Sequence, residues 1–512
     1  MKLKRSAGVL LHITSLPGKQ ACGSLGDEAY EFVDLLKKGG FSYWQILPIG
    51  PVSPSMQWSP YSSLSSFAGN ELFINVDYLK KEKWFVSDFV KEEVTDDHFA
   101  DFFWSRDYIR RAIIQSYNDF IFHGTDDDKR EFNSFCKKQD FWLDDYSLFM
   151  ALAHEFNSFN WLEWDKRIAL REGEFLSFYK VKLEKRIDII KYSQFVFFRQ
   201  WEKFKNYANS QGISIIGDIP IYVSMDSADA WSMSSILEID KENLRPTYVA
   251  GVPPDYFSET GQLWGNPVYK WYIGDKLNEE TYSWWKKRIC HNLQFVDVIR
   301  IDHFRGFESF WKVKYGEKTA INGHWEKAPG EEFFYRLKDE IGDLPFIAED
   351  LGVITPEVKA LRDSFELPGM KILQFAFGSD DKNDYLPHNI DNRNCLVYTG
   401  THDNDTINGW FYDPLFPEED RAKVMEYLAM KEWSDFHKRI IREAYATLAD
   451  LVVIPAQDIL GYGREFRMNT PGTIEGNWKW KLTSGAFNED LMKPMRRLAK
   501  LFSRLQWSDE NI

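Results

Sequence analysis

Eight short, near-continuous apolar runs recur along this chain, at residues 7–12, 43–48, 213–223, 298–304, 345–350, 371–377, 395–402 and 451–457. Runs of this kind mark strands buried on both faces, as in parallel sheets. Helical patterns separate several of them. Residues 28–38 show apolar positions at helical spacing, with Asp27 placed to cap the segment and Gly39-Gly40 to stop it. Residues 192–209 precede the third run and 279–294 the fourth, while Thr355-Pro356 opens another helix with proline in its first turn. Alternating strand and helix predicts an α/β parallel sheet, and eight strands predict a closed (β/α)8 TIM barrel. We expect residues 1–512 to form one catalytic barrel domain. Two stretches are too long for simple connections: 70–190, of helical texture, and 224–278, rich in Gly, Pro and Tyr. Both follow barrel strands, so both should rise from the catalytic rim, the first as a mostly helical subdomain and the second as a cover over the cleft.

Three of the runs finish in an acid: Asp302, Glu349 and Asp403. The C-terminal rim is where such barrels place their chemistry. Two carboxylates facing one cleft are what breaking a glycosidic bond requires. A third adds negative charge where a sugar cation develops. Strand alternation puts Arg300 on the same face as Asp302. An adjacent guanidinium favours the ionised acid, which suits a nucleophile. An isolated Arg–Asp pair reads more simply as structural; the two other rim acids move the reading towards chemistry. Glu349 follows Ile347 and Ala348, and apolar surroundings raise a carboxyl pKa into the range of a general acid. Asp350 should point the other way. His402 adjoins Asp403, which points to a substrate contact. Strict alternation would turn the two apart, so a local twist is needed for both to reach one sugar. Gly217-Asp218-Ile219-Pro220 ends the third run with a further acid.

Composition excludes other classes. The net charge of −15 leaves no basic stripe for nucleic acid. The Asp126-Asp127-Asp128 and Lys80-to-Lys83 charge runs read as solvated faces or turns. No run approaches the ~20 apolar residues of a membrane span. The short N-terminal apolar stretch, broken by His12, reads as the first strand and not as a signal peptide. Cys22, Cys136, Cys290 and Cys395 form no CxxC pair, which fits a reducing compartment and a cytoplasmic protein. HExxH, P-loop, GxGxxG, GxSxG and EF-hand patterns are absent, so no metal or organic cofactor is called for. Aromatics make up 16% of residues, more than core filling needs, so some rings should line a groove where they stack on sugar faces.

The blocks Arg300-Ile301-Asp302-His303-Phe304-Arg305-Gly306, Ala348-Glu349-Asp350-Leu351-Gly352 and Thr401-His402-Asp403-Asn404 resemble the catalytic segments of the 4-α-glucanotransferases, the amylomaltase or disproportionating enzymes related to the α-amylases. The likeness extends through Ser59-Pro60-Tyr61-Ser62-Ser63, Gly217 to Pro220, Gly251 to Ser258, Gly261 to Pro267, Pro455 to Asp458 and Asn469 to Gly472, in one order over nearly the whole chain. It implies that Asp302 is the nucleophile, Glu349 the general acid/base and Asp403 the transition-state stabiliser. It further implies that Arg300 and His402 bind the sugar beside the cleaved bond and that Tyr61 stacks on it. Ser59, Asp218, Asp255, Gln262, Trp264 and Asn469 would line the groove. The implied substrates are α-1,4-glucans such as maltooligosaccharides, starch or glycogen, transferred with retention and without a cofactor. The three acids alone would equally serve an α-amylase-like hydrolase. The aromatic, proline-rich segment 251–269 favours transfer, by limiting water at the intermediate. A catalytically silent glucan-binding scaffold is the third reading, against which the intact acids argue.

Overall fold

The computed structural model describes residues 3–89, 94, 97–254 and 258–506. Eight parallel strands form the centre: β1 (Ser6–Leu10), β2 (Tyr43–Gln45), β3 (Ser214–Ile219), β4 (Val298–Ile301), β5 (Phe346–Ala348), β6 (Gly369–Ile372), β7 (Cys395–Tyr398) and β8 (Leu451–Pro455). They pair in the order β5-β4-β3-β2-β1-β8-β7-β6. The two outer strands meet through one backbone bond, Ala348 N–H to the Pro368 carbonyl at 2.9 Å. The sheet is thus almost closed into the expected barrel. All eight predicted runs overlap a strand, the sixth only at Lys371 and Ile372, and each strand stops short of its run's C-terminal end. Beyond Tyr398, Ile301 and Ile219 the chain leaves the ladder for turns that carry the site.

The interior is packed through polar as well as apolar contacts. Tyr398 on β7 donates to Gln45 Oε1 on β2 at 2.8 Å, and both are fully buried. These strands are separated by two others, so the bond spans the barrel. Outside, Trp44 on β2 sits edge-on to Phe32 at 4.7 Å and to Phe204 at 5.6 Å, which locks two helices onto the sheet. The first of those helices, Asp27–Lys38, buries Ala29, Phe32, Val33 and Leu36, the i, i+3, i+4, i+7 stripe of a helix on a sheet. Asp27 does not cap it: Gly26 holds that position, and Asp27 instead accepts the Tyr78 hydroxyl at 2.7 Å. Gly39 closes the helix, and Gly40 at φ +76° turns the chain in a conformation that a Cβ would oppose.

Between β2 and β3 the chain is mostly helical, with long helices Phe102–His123, Asp140–Phe156 and Glu184–Ser210. Asp126-Asp127-Asp128 opens a helix whose Thr125 and Asp128 form a capping box, in keeping with a solvated turn. Segment 224–278 contributes strands Tyr248–Val252 and Gln262–Pro267 to a separate four-stranded antiparallel sheet. That sheet is completed by Ser309–Lys314 and His324–Lys327, which the sequence reading did not anticipate. No described helix is long and apolar enough to cross a membrane.

The chain ends are tied at the bottom of the barrel by Arg504, a fully buried cation. It donates to the carbonyls of Tyr445, Ala449 and Thr447, each at 2.9 Å, and of Ser6 at 3.2 Å. Truncation would leave buried carbonyls unsatisfied. We expect Arg504→Ala to destabilise the protein by about 3 kcal/mol, read as a lower urea midpoint. Arg504→Lys should recover little, because a point charge does not fan to several acceptors. An unchanged midpoint in the alanine variant would mean that water replaces the guanidinium.

Candidate active site

Parallel register sets the relative places of the rim acids. Ile219 pairs with Ile301, and Ile301 with Ala348. Asp302 and Glu349, each the next residue, therefore occupy neighbouring positions one strand spacing apart. Backbone bonds continue past the strands: Asp302 N–H to the Ile219 carbonyl, Glu349 N–H to Ile301 and Phe304 N–H to Glu349, each at 3.1 Å. His303 takes φ +51°, a left-handed value uncommon for a side-chain-bearing residue. That turn aims the His303 N–H at Glu349 Oε2, 2.7 Å away. Leu351 N–H donates to Glu349 Oε1 at 3.0 Å. Asp350 points the other way, as alternation requires, and holds Met370 N–H at 2.7 Å and the Arg362 guanidinium.

Arg300 lies buried at the top of the barrel. Its Nη1 donates to both oxygens of Asp218, at 2.9 and 2.7 Å, and to Asp302 Oδ1 at 3.0 Å. The Tyr61 hydroxyl donates to Asp218 Oδ2 at 2.7 Å. The Tyr61 ring stacks on His402 with centroids 4.9 Å apart, and Trp478 packs against both rings. His402 Nε2 and Asp403 Oδ2 are 3.3 Å apart, so the two side chains do meet. The strand has already ended at Tyr398. Asn404 Oδ1 accepts from the Thr401 N–H at 2.8 Å and so closes a turn that supplies the needed twist. Asn469 Nδ2 donates to Asp403 Oδ1 at 2.6 Å.

The electrostatics divide the acids. Burial pushes Glu349 up to about 7, against the downward pull of Arg300 and its two backbone donors. Burial also raises Asp302, to about 6, although Arg300 opposes it. The sequence reading expected Arg300 to keep Asp302 simply ionised; burial wins over the pair contact, yet the acid remains mostly ionised at neutrality. The two titrate together, and the proton they share belongs on Glu349, because Arg300 touches Asp302 and not Glu349. Burial acts upward on Asp403 as well, but His402 and Asn469 outweigh it and hold that carboxyl down at about 2. His402 is raised, as the charge of Asp403 outweighs its own burial.

Glu349 and Asp403 face a two-lobed cleft. One lobe, of about 930 Å³, is lined by Glu349, Asp403, His303 and Trp325; the other, of about 960 Å³, by Asp403, Trp410 and Arg467. Gln262, Trp264, Gln374 and Phe375 line both. Trp264 stands edge-on to His303 at 4.8 Å and is 37% exposed. Ser59 supports the site from behind, its Oγ accepting from the Tyr61 N–H at 3.3 Å. Asp255 lies outside the described residues. Gln374, Phe375, Trp325, Arg467 and Trp478 were missed by the sequence reading. Only Trp325, the exposed tryptophan among them, left a signal, in the aromatic excess.

The sequence matches the family model described as 4-alpha-glucanotransferase over residues 11–486. A 4-alpha-glucanotransferase of Clostridium butyricum is 43% identical over 496 residues, covering 97% of this chain and 100% of that protein. One from Synechocystis is 45% identical over 503 residues, covering 98% of each. Among solved structures, amylomaltase from Streptococcus agalactiae in complex with acarbose matches with a TM-score of 0.92 at 36% identity, covering 98% of this chain and 100% of that one. With this fold, these rim acids and relatives of this coverage, the chain belongs to the 4-alpha-glucanotransferase family.

Proposed function

We propose that this enzyme transfers segments between α-1,4-glucans by double displacement, with Asp302 as nucleophile and Glu349 as acid/base. The Asp302 carboxylate attacks the anomeric carbon while Glu349 gives its proton to the departing 4-oxygen, and a β-glucosyl ester forms. The 4-hydroxyl of a second glucan then returns its proton to Glu349, and its oxygen displaces Asp302 from the sugar. Asp403, fixed by His402 and Asn469, stabilises the cationic sugar between these steps. The observation that carries this reading is the contrast between two adjacent rim positions: one acid rests on Arg300 and the other does not. One strand spacing, about 4.8 Å, also suits the ~5–5.5 Å carboxyl separation of retaining enzymes better than the wider gap of inverting ones.

Arg300, Tyr61 and His402 would hold the sugar at the cleaved bond, with Asp218 orienting the first two. Gln262 and Trp264 would contact the chain in both lobes. Segment 224–278 would act as the cover, and residues 70–190 as a helical subdomain beside a single catalytic barrel. The four cysteines are free, which supports a reducing compartment, the cytoplasm.

Maltotriose separates transfer from hydrolysis. Resolved by length, the products should be glucose together with oligomers longer than the substrate; maltose and glucose alone would establish the hydrolase instead. We expect Asp302→Asn to lower kcat on the order of 10³-fold or more, as loss of a nucleophile does. Glu349→Gln should cost roughly 10²–10⁴-fold, the range for a general acid. Near-normal transfer by either variant would reassign that role.

The pH profile follows from the same groups. Asp302 acts when ionised, so kcat/KM should fall as pH drops below about 6. Glu349 acts when protonated, so kcat/KM should also fall as pH rises above about 7. The bell should therefore peak between these values. A profile still rising well above neutrality would contradict the assignment of the acid.

A further inference from the structure

The helical insertion carries another, half-open cavity, of about 410 Å³, that shares no lining residue with either lobe of the cleft. Helices Phe102–His123, Asp140–Phe156 and Glu184–Ser210 build it, each contributing one face. Arg110, Ile113 and Ile114 come from the first, Tyr146, Met150 and His154 from the second, and Arg186, Ile189, Ile190 and Ser193 from the third. Stripes at helical spacing normally interlock as core. Here they leave a space within the roughly 300–1,000 Å³ of small-molecule sites.

The lining has two chemistries. The floor is apolar, from Ile113, Met150, Leu183 and Ile190. The rim carries Arg110, Lys182, Lys185 and Arg186, against Glu71 as the one acid on the lining. Glu155, off the lining, accepts from Lys182 at 2.7 Å and from Arg186 at 3.3 Å. Four cations thus face two carboxylates, in a protein whose net charge is −15. Arg110 has no carboxylate partner among the described residues; its Nη2 meets His154 Nε2 at 2.8 Å. That imidazole is neutral, since burial and then Arg110 and Arg186 push it down to about 3. Ser193 is buried and its Oγ makes no hydrogen bond. A guanidinium without a carboxylate and an unsatisfied hydroxyl beside an apolar space form an incomplete set of contacts. A sugar does not complete it, because its hydroxyls would face isoleucine and methionine.

We propose that this cavity binds an amphiphilic anion, with an aliphatic body on Ile113, Met150 and Ile190 and an acidic head on Arg110 and Arg186. Calorimetric titration of the full chain with decanoate, and with decanol as its uncharged counterpart, tests this. We expect one decanoate per chain, bound at least about ten-fold more tightly than decanol. The double variant Arg110→Gln/Arg186→Gln should bring decanoate down to the decanol level. Ile114→Trp, at a rim position 43% exposed, should block both ligands without disturbing the core. Transfer on maltotriose should stay unchanged in all variants and reports that they are folded. Decanoate that binds no better than decanol, or binding that survives either set of substitutions, would overturn the proposal.

Discussion

The site is organised around one buried cation. Arg300 has been taken out of water at the top of the barrel, and an isolated guanidinium there would be strongly unfavourable. Asp218 and Asp302 supply the compensating charge through a single nitrogen, Nη1, that reaches three carboxylate oxygens. The arrangement is unequal. Asp218 is wholly enclosed and also accepts the Tyr61 hydroxyl, whereas the side chain of Asp302 is 28% exposed and meets Arg300 through Oδ1 alone. One acid therefore anchors the cation. The other is held through one oxygen and keeps part of its carboxylate exposed. Breaking such a set from within typically costs about 3–5 kcal/mol. The geometry of Asp302 is thus coupled to the integrity of β3 and β4.

The difference between Asp302 and Glu349 follows from how those strands are written. Both residues come one step past an apolar strand, and both are driven towards the neutral acid by burial. Alternation places a basic side chain two residues before Asp302. The corresponding position before Glu349 is Ile347, fully buried. A single substitution in the inward-facing pattern of neighbouring strands thus separates a carboxylate from a carboxylic acid. The left-handed turn at His303 completes the pair by pointing a backbone donor at Glu349.

The fold was legible because buried parallel strands are written as unbroken apolar runs, and the rim acids were legible because they interrupt those runs. The strand ends were not, since Phe304 and residues 399–401 continue an apolar or β-prone pattern while the backbone there turns away from the ladder. The same local departure resolves the relation of His402 to Asp403, which alternation alone misplaces. The Ser309–Lys314 strand went unread because its one-sided pattern, with Trp311 and Lys312 adjacent, resembles any exposed segment. Gln374 comes from the single 3-10 turn Leu373–Phe375 after β6, and Arg467 and Trp478 from loops with no period. Their place beside the acids exists only once β6, β7 and β8 have brought distant segments together. Arg300 was legible as a partner of Asp302, but its stronger hold on Asp218 depends on the β3–β4 register, which sequence does not print.

Among the described residues the cleft is open, so the selection of a sugar over water is sought in the glucan and not in a sealed site. Trp264 and Trp325 are 37% and 39% exposed, and the side chain of Asp403 is 47% exposed. Water therefore reaches the rim acids when no glucan is bound. An arriving chain changes this by covering the indole faces and displacing that water. Removing water strengthens the pull of Arg300 on Asp302 and of His402 on Asp403, since both contacts then act in a lower dielectric. The acceptor in this view does two things at once: it brings the 4-hydroxyl, and it creates the dry surroundings in which that hydroxyl competes well against water. Long open grooves lined by flat rings favour this solution, because each bound glucose adds to exclusion without requiring a lid to close.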